Sequence, residues 1–194
     1  MKKSIGISLV ASVMLCGASL YAVAAPPKGA RAAFGKGDNT LGLSLGVGNV
    51  YTYHGGSTYL PAIAVNFDHG LVGNVGPGTI GIGGIIGWQN TYYKYGNGDR
   101  VSWTNFIMGF RGTYHLTILK DKNNKFDPYG GVTVGIRVES YNGNHNGTYD
   151  VDGNAHPFVG PFVGAKYNFT PKFGAFSELG YDISLFRIGL HLNF

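Results

Sequence analysis

Apolar and polar residues alternate along much of this chain, and the alternation is clearest over residues 184–194. One set of side chains there is wholly apolar and consists of Phe186, Ile188, Leu190, Leu192 and Phe194. The residues between them are polar or small, namely Arg187, Gly189, His191 and Asn193. Successive side chains of a β-strand point to opposite faces. This stretch therefore predicts a strand with one apolar face and one polar face.

The same alternation recurs in about eight segments, at roughly 40–50, 58–68, 78–92, 100–118, 128–141, 156–169, 172–182 and 184–194. Strands of a transmembrane barrel need an apolar outside and a polar inside, and eight strands is the smallest common size. The pattern predicts an all-β fold, an eight-stranded antiparallel up-and-down transmembrane β-barrel over residues 39–194. A soluble β-sandwich is the competing fold, but burying the apolar faces against each other would not explain the unbroken outward pattern.

The connections between these segments set the expected topology. An even number of strands places both ends of the barrel on one side of the membrane, which we expect to be periplasmic. Periplasmic turns are expected at roughly 69–77, 119–127 and 170–171, and outer loops at roughly 51–57, 93–99, 142–155 and 183–184. The longest outer loop, 142–155, is polar and rich in Gly and Asn. Pro61 predicts a bulge or a locally open ladder within the second segment.

The first residues have the three parts of a secretory signal peptide. Met1-Lys2-Lys3 is positively charged, residues 5–18 are apolar or small, and Ala22-Val23-Ala24 matches an A-x-A cleavage site. We expect residues 1–24 to be a signal peptide that is recognised at Ala22 and Ala24. Residues 25–38, rich in Pro and Gly, predict a flexible periplasmic segment before the barrel. An exported chain with the pattern of a transmembrane barrel is expected in the outer membrane of a Gram-negative bacterium.

Composition narrows the class further. Gly accounts for 33 of the 194 residues, and only 13% of residues are charged. After the signal peptide there is no apolar run of 18 or more residues, so a closed barrel is the remaining way to cross a membrane. Cys16, the only cysteine, falls in the signal peptide, so the mature chain offers no disulfide or thiol chemistry. An exported chain of low net charge is not expected to bind nucleic acid.

Charged side chains are expected inside the barrel because of their parity in the strands. The cations are Arg111, Arg137, Lys166 and Arg187, and the anions are Asp68, Glu139, Glu178 and Asp182. A buried charge without a partner costs several kcal/mol, so these groups should form a network of ion pairs. The interior of an eight-stranded barrel is just wide enough for side chains to fill it. We interpret the network as a plug; the alternative is a narrow, charge-lined path for a small solute or ion.

The chain from about residue 39 to residue 194 resembles the small bacterial outer-membrane β-barrel proteins, of the OmpX/OmpA type and the opacity-protein-like type. The alternating strands, the inward Arg111, Arg137, Glu178 and Arg187, and the closing strand carry this resemblance. That strand ends on Phe194 and, with Leu190 and Leu192, resembles the C-terminal assembly signal of outer-membrane proteins. The resemblance implies insertion by the outer-membrane assembly machinery into a membrane of lipid and lipopolysaccharide, and we expect a monomer.

The resemblance does not fix the function, because such barrels include adhesins, immune-evasion proteins, structural barrels and a few lipid enzymes. We expect a non-enzymatic barrel that acts in membrane integrity, or in surface adhesion or binding through the outer loops. The alternatives are a narrow porin-like channel and a lipid-modifying enzyme. No catalytic, cofactor or metal motif can be read: Ser177 is next to Glu178 but on the opposite face, and residues 150–154 lack the spacing of a calcium loop.

Overall fold

The computed structural model describes residues 33–48, 50, 58–94, 100–117, 125–145 and 148–194. The expected signal peptide, residues 1–24, lies outside the described residues, as does most of the expected lead-in. The strands are β1 (Asn39–Val47), β2 (Thr58–Tyr59), β3 (Ala62–Val75), β4 (Gly78–Lys94), β5 (Arg100–Leu116), β6 (Phe126–His145), β7 (Thr148–Asn168), β8 (Phe173–Gly180) and β9 (Phe186–Asn193). Among the described residues, no helix is long and apolar enough to cross a membrane.

Eight of these strands close into a ring. β1 pairs with β3 on one side and with β9 on the other, and β3 to β9 follow one another in chain order around the ring. Every pairing is antiparallel. The prediction of an all-β, eight-stranded antiparallel barrel is therefore confirmed.

β2 continues β3 after an interruption at Leu60 and Pro61. Tyr59 pairs with Thr91 and Ile63 pairs with Trp88, so one strand uses an extra residue between the two pairs. This is a β-bulge, and it confirms what Pro61 predicted, since proline has no N–H to give to a ladder.

The strand registers fix the width of the barrel. A path that follows paired residues once around the ring returns to β1 ten residues away from its starting point. With a rise of about 3.3 Å per residue and strands about 4.8 Å apart, this stagger tilts the strands by about 41° and gives a backbone radius of about 8 Å. Such a cylinder leaves room inside for side chains and little else.

The two faces of the wall differ as the alternation predicts. On β9, Ile188, Leu190 and Leu192 are 57%, 52% and 51% exposed on the outside, whereas Arg187 and His191 are each 1% exposed inside. Five of the eight exposed phenylalanines among the described residues lie near the end of the barrel that contains the C-terminus, namely Phe67, Phe126, Phe169, Phe173 and Phe194. We call this the termini end of the barrel and the opposite end the loop end. An apolar outer band with aromatic residues at its rim is the surface that a bilayer requires.

Two connections differ in length from the expectation, one being shorter and the other longer. The turn expected at 69–77 is reduced to residues 76 and 77, because β3 continues to Val75 through two register shifts against β4. Asn74 and Gly76 adopt φ angles of 59° and 57°, the left-handed conformation that such irregular turns need. The short loop expected at 183–184 is wider, since β8 ends at Gly180 and β9 begins at Phe186.

The longest expected loop, 142–155, is mostly strand. Its residues form the far end of the β6–β7 hairpin, with pairs such as Asn142 with Val151 and His145 with Thr148. These strand residues could not be recognised from the sequence, because apolar and polar residues alternate only where one face of the strand contacts lipid. Backbone pairing between the two strands continues beyond the lipid, where this alternation is absent.

The expectation of a flexible lead-in over residues 25–38 is wrong for residues 33–38. Phe34 is only 2% exposed, and the backbone of Gly37 donates a hydrogen bond of 2.8 Å to the carbonyl oxygen of Gly70 in β3. A segment with a buried aromatic side chain and backbone bonds to the wall is folded, whatever its Gly and Pro content.

A charge placed on the outer surface should destabilise the barrel. Val134 is 55% exposed in the outer band and pairs with Phe110 and Val159. We expect Val134→Arg to lower the free energy of unfolding by about 2–4 kcal/mol, the cost of a cation near the bilayer midplane. Urea titration of the protein folded in phospholipid vesicles measures this change.

The matched control is Asn154→Arg, on a residue that is exposed in the paired end of β7. This variant should change stability by less than about 0.5 kcal/mol, as a solvated surface substitution does. Equal losses for the two variants would contradict a lipid-facing outer band.

Candidate functional site in the barrel lumen

The lumen holds three layers of side chains between the two ends of the barrel. A buried apolar cluster lies on the loop-end side, an ion-pair network lies in the middle, and a second polar and aromatic layer lies at the termini end. Each layer is built by inward positions of the alternating strands, so the same parity that covers the outside with apolar residues fills the inside with polar ones.

Glu178 is the centre of the middle layer. Its Oε1 atom accepts hydrogen bonds of 2.7 Å from both Arg111 Nη2 and Tyr129 Oη, and its Oε2 atom accepts one from Arg187 Nη2. Arg187 Nη2 also lies 3.0 Å from Asp182 Oδ2. Both carboxylate oxygens of Glu178 are therefore occupied, and the two guanidinium groups are held by carboxylates inside the barrel.

Four strands converge on this carboxylate, because Glu178 lies on β8, Arg111 on β5, Tyr129 on β6 and Arg187 on β9. The wall makes room for them at Gly164, where an added Cβ would lie 2.8 Å from Glu178 Cγ and 2.9 Å from Tyr129 Cζ. The middle layer therefore joins opposite sides of the ring, and any larger residue at this glycine would displace it.

An aromatic ring also contacts the guanidinium group of Arg111 in the middle layer. Arg111 Cζ lies 3.9 Å from the centre of the Phe162 ring, the geometry of a cation–π interaction. Phe162 is 3% exposed and fills lumen space beside the guanidinium group.

The termini-end layer contains a second ion pair and a histidine–carboxylate pair. Lys166 Nζ lies 3.2 Å from Asp68 Oδ2, and His115 Nδ1 lies 2.8 Å from Asp127 Oδ2. Lys166 Nζ also lies 5.1 Å from the centre of the Tyr129 ring, which links this layer to the middle one. All five side chains are buried.

A chain of hydrogen bonds closes the wall nearby, where β7, β9 and β1 meet. His191 Nε2 and Asn193 Nδ2 lie 2.8 Å and 2.9 Å from Asn168 Oδ1. Thr40 Oγ1 in turn donates to Asn193 Oδ1 over 3.0 Å. These bonds tie the last strand to the first across the seam of the barrel.

The loop-end side of the lumen is apolar. The cluster there consists of Ala62, Ala64, Ile85, Ile107 and Ile183, with Phe158 packed against it. None of the five is more than 2% exposed. Arg137 and Glu139 lie on β6 beside this cluster, with Nη1 and Oε2 3.4 Å apart and side chains 18% and 25% exposed. This pair is thus partly solvated, unlike the pairs of the middle layer.

The eight charged residues named from the sequence all lie on the lumen side, in three places rather than one. Arg111, Arg187, Glu178 and Asp182 meet in the middle layer, Lys166 and Asp68 at the termini end, and Arg137 and Glu139 toward the loop end. Asp182 lies in the connection after β8 rather than in a strand. Its Oδ1 atom accepts the backbone N–H of Ile183 at 2.7 Å.

Sequence reasoning missed four contributors to the lumen. Tyr129 lies inward at a position whose parity, opposite Val132 and Val134, was already visible in the sequence. Asp127 was assigned to a turn, Ile183 to an outer loop and Phe34 to a flexible segment, and no local signal marks any of them as buried.

The buried serines and His115 of the described lumen each contact other groups. The buried serines Ser44 and Ser184 donate to the backbone carbonyl oxygens of Ala64 and Phe186, so neither is aligned with a histidine. The ring of His115 is stacked between Phe34 and Tyr129, at centroid distances of 3.9 Å and 5.2 Å. Within the described ranges, no group of three or more His, Cys, Asp or Glu side chains could hold a metal ion.

No family model and no curated protein matches this chain. Among solved structures it is similar to Ail, the attachment invasion locus protein of Yersinia pestis, in a complex with the heparin analogue sucrose octasulfate, with a TM-score of 0.50, 10% identity and coverage of 82% of this chain and 99% of that one. It is also similar to the N-terminal β-barrel domain of OprF from Pseudomonas aeruginosa, with a TM-score of 0.44, 12% identity and coverage of 83% and 100%.

A third similar structure is Neisserial surface protein A, with a TM-score of 0.37, 10% identity and coverage of 81% of this chain and 95% of that one. The similarity to Ail shows the fold: the chain is an eight-stranded β-barrel of the kind found in small bacterial outer-membrane proteins, as its resemblance to that class predicted. At this level of identity the comparison says nothing about residues of the lumen.

Removing the central carboxylate should be much more costly than removing the partly solvated one. We expect Glu178→Gln to lower the free energy of unfolding by about 3–5 kcal/mol, because Arg111 and Arg187 lose the anion between them. Glu139→Gln should cost no more than about 1 kcal/mol, as for a solvent-exposed pair. Urea unfolding in vesicles, followed by the gel mobility of unboiled samples, measures both; similar losses would show that the middle layer is not a structural unit.

Proposed function

We propose that this chain is a non-enzymatic barrel of the outer membrane that binds a partner at the cell surface through its loop end. The fold supports this location, and so does the closing strand, in which Phe194 and Asn39 exchange backbone hydrogen bonds of 3.0 Å and 3.1 Å across the seam. Phe194, Leu192 and Leu190 would serve as the signal for the assembly machinery, and lipopolysaccharide would surround the loop end. We also propose the mature chain to begin after Ala24, following cleavage of the signal peptide.

The filled lumen favours binding over transport. The apolar cluster around Ile107 and the occupied carboxylate of Glu178 lie one after the other along the axis of a barrel about 8 Å in radius. A solute would have to separate buried ion pairs and displace buried isoleucines on its way through. We therefore propose that the lumen network is structural.

The main support for surface binding is that the strands differ greatly in length. β4, β5, β6 and β7 have 17, 17, 20 and 21 residues, whereas β1, β8 and β9 have only 9, 8 and 8. One side of the barrel thus rises at the loop end as a sheet of four strands. Residues 153–157 of β7 are all exposed, so both faces of the strand have left the wall and the interior.

The outer edge of this sheet is open. β7 pairs with β6 along its whole length but pairs with β8 only from Phe162 to Asn168. At Gly160 the backbone of Tyr181 lies against β7, since an added Cβ would be 2.6 Å from the carbonyl oxygen of Tyr181. Residues 148–157 therefore form the stretch with no strand on its second side among the described residues, over about 33 Å of strand length. Unpaired N–H and C=O groups of an edge strand can pair with an extended segment of another protein, which is the mode of recognition called β-augmentation.

The direction of individual backbone groups can be worked out from two hydrogen bonds. Pro161 accepts from Tyr181 on the β8 side, and Asn168 donates to Lys125 on the β6 side. Backbone groups alternate in direction along a strand, so odd-numbered residues of β7 face the open edge. Ala155 presents both its N–H and C=O there, whereas Pro157 has no N–H, which limits pairing to the stretch beyond it.

The charges of the loop end favour a peptide strand over a polyanion. Ail was solved with a heparin analogue, but residues 94–100 and 137–156 of this chain together contain three cations, Lys94, Arg100 and Arg137, against four anions, Asp99, Glu139, Asp150 and Asp152. A surface without excess positive charge has no general attraction for sulfated sugars. Backbone pairing needs no such excess, so an extended protein segment is the partner that we propose.

Adhesion tests the open edge. A non-adherent Gram-negative host that displays this chain should bind to a monolayer of cultured epithelial cells. Ala155→Pro should lower the number of bound bacteria by about fivefold or more, because a lost backbone hydrogen bond is worth about 1 kcal/mol. The proline ring also obstructs an incoming strand. Ala155→Ser keeps the N–H and is the matched control. Equal adhesion of the two variants at equal surface expression would refute binding through this edge.

Conductance tests the channel alternative. The purified barrel in planar lipid bilayers should show no steady openings, because the lumen is filled at two levels. Steady openings whose amplitude changes in the folded Glu178→Gln variant would establish a charge-lined path and overturn the structural interpretation of the network.

A further inference from the structure

Residues 33–38, which we call the stopper segment, fold across the termini end of the barrel. Gly37 donates its backbone N–H to the carbonyl oxygen of Gly70 at 2.8 Å, and Gly70 donates to the carbonyl oxygen of Asp38 at 2.9 Å. The segment also turns on itself, since Gly35 donates its N–H to Asp38 Oδ2 at 2.9 Å. These bonds hold the segment against β3 at one place in the ring.

The turn directs Phe34 into the lumen. Its ring stacks on His115 with a centroid distance of 3.9 Å and an interplanar angle of 23°. Lys166 Nζ lies 5.0 Å from the centre of the same ring. His115 and Lys166 thus form a site for one aromatic ring, and Phe34 occupies it. Tyr129 stacks on the other side of His115 and supports this ring from behind.

Phe34 reaches deeper than the rim. A Cβ added at Gly81 would lie 3.5 Å from Phe34 Cε1 and 2.4 Å from Thr113 Oγ1. Thr113 is one inward position further into the barrel along β5 than His115. The ring therefore lies between the opening at the termini end and the buried ion pair of Lys166 and Asp68.

The wall has a glycine where the segment crosses it. A Cβ at Gly70 would lie 2.0 Å from the carbonyl oxygen of Gly35 and 2.9 Å from its carbonyl carbon. Gly70 has no left-handed φ angle that would require glycine for conformational reasons. Position 70 therefore requires glycine because the stopper segment passes too close to the wall for any side chain to fit there.

We propose that the stopper segment is a seal. Phe34 occupies an aromatic-ring site formed by His115 and Lys166 and excludes water from the lumen ion pairs at the termini end, as the cluster around Ile107 does on the other side. A barrel that binds partners at its loop end has no need of this device, so the seal is a separate property of the chain. Undocking the segment opens the termini end of the lumen to water and small solutes.

Thiol labelling tests the seal, because the chain after residue 24 contains no cysteine. We would introduce Thr113→Cys into the detergent-folded protein and measure its reaction rate with a small cationic methanethiosulfonate. Adding Gly70→Ala, which pushes the segment away from β3, should raise the rate on the order of tenfold or more, as expected when a docked segment becomes mostly open. Gly112→Ala is the matched control, since an added Cβ there meets nothing within 4 Å.

Trypsin cleavage after Lys36 reports docking separately, since this side chain is exposed but its backbone must leave the wall to enter a protease. Unboiled gel mobility verifies that each variant is folded. Faster labelling together with faster cleavage in Gly70→Ala, and neither in Gly112→Ala, supports the seal. Faster cleavage without faster labelling means that the segment docks without sealing, and no change in either rate means that it does not dock as described; both results overturn the proposal. If Gly70→Ala does not fold, Phe34→Ala replaces it with the same expected rates.

Discussion

Hydrocarbon offers no hydrogen-bond partner to a peptide group, so every N–H and C=O of a membrane-crossing strand must be paired within the protein. The ring of eight strands satisfies this constraint by leaving no edge at membrane depth, with β1 and β9 joined along a complete register from Thr40 to Val47. The stagger that accumulates over all the strand pairs of the ring sets the tilt of the strands and the narrow radius of the barrel. The apolar outside, the polar inside and the lack of free space in the lumen all follow from closing this particular ring.

A narrow closed barrel brings a second constraint, because its inward positions are cut off from both water and lipid. Charged residues at those positions need partners, and the wall provides them from different strands: Glu178 on β8 receives donors from β5, β6 and β9. The ion pairs therefore act as cross-braces between opposite sides of the ring. Apolar groups then shield these pairs from both directions, with the cluster around Ile107 toward the loop end and Phe34 toward the termini end.

Outside the membrane, backbone N–H and C=O groups no longer need a partner within the protein. Where β6 and β7 pass the loop-end rim, water can satisfy unpaired backbone groups, so the strands continue without a partner on the second side of β7. An open edge at this height is compatible with stability and available for recognition, whereas the same edge at membrane depth would not be tolerated. Pro157 and Pro161 both face that side, where the missing N–H costs nothing in the ladder with β6.

The sequence alone determined the strand count, the antiparallel barrel and the inward positions of the eight charged residues that it assigned to the lumen, because lipid on one side of a wall imposes a two-residue period that can be read directly. It did not determine which charges would meet, since partners such as Arg111 and Glu178 lie 67 residues apart and are joined only by the register of the ring. It also misjudged residues 33–38, 142–155, Asp127 and Ile183. Their positions depend on tertiary contact, as with Phe34 on His115, or on pairing that continues after lipid has ceased to mark the sequence, and neither leaves a local pattern of apolar and polar residues.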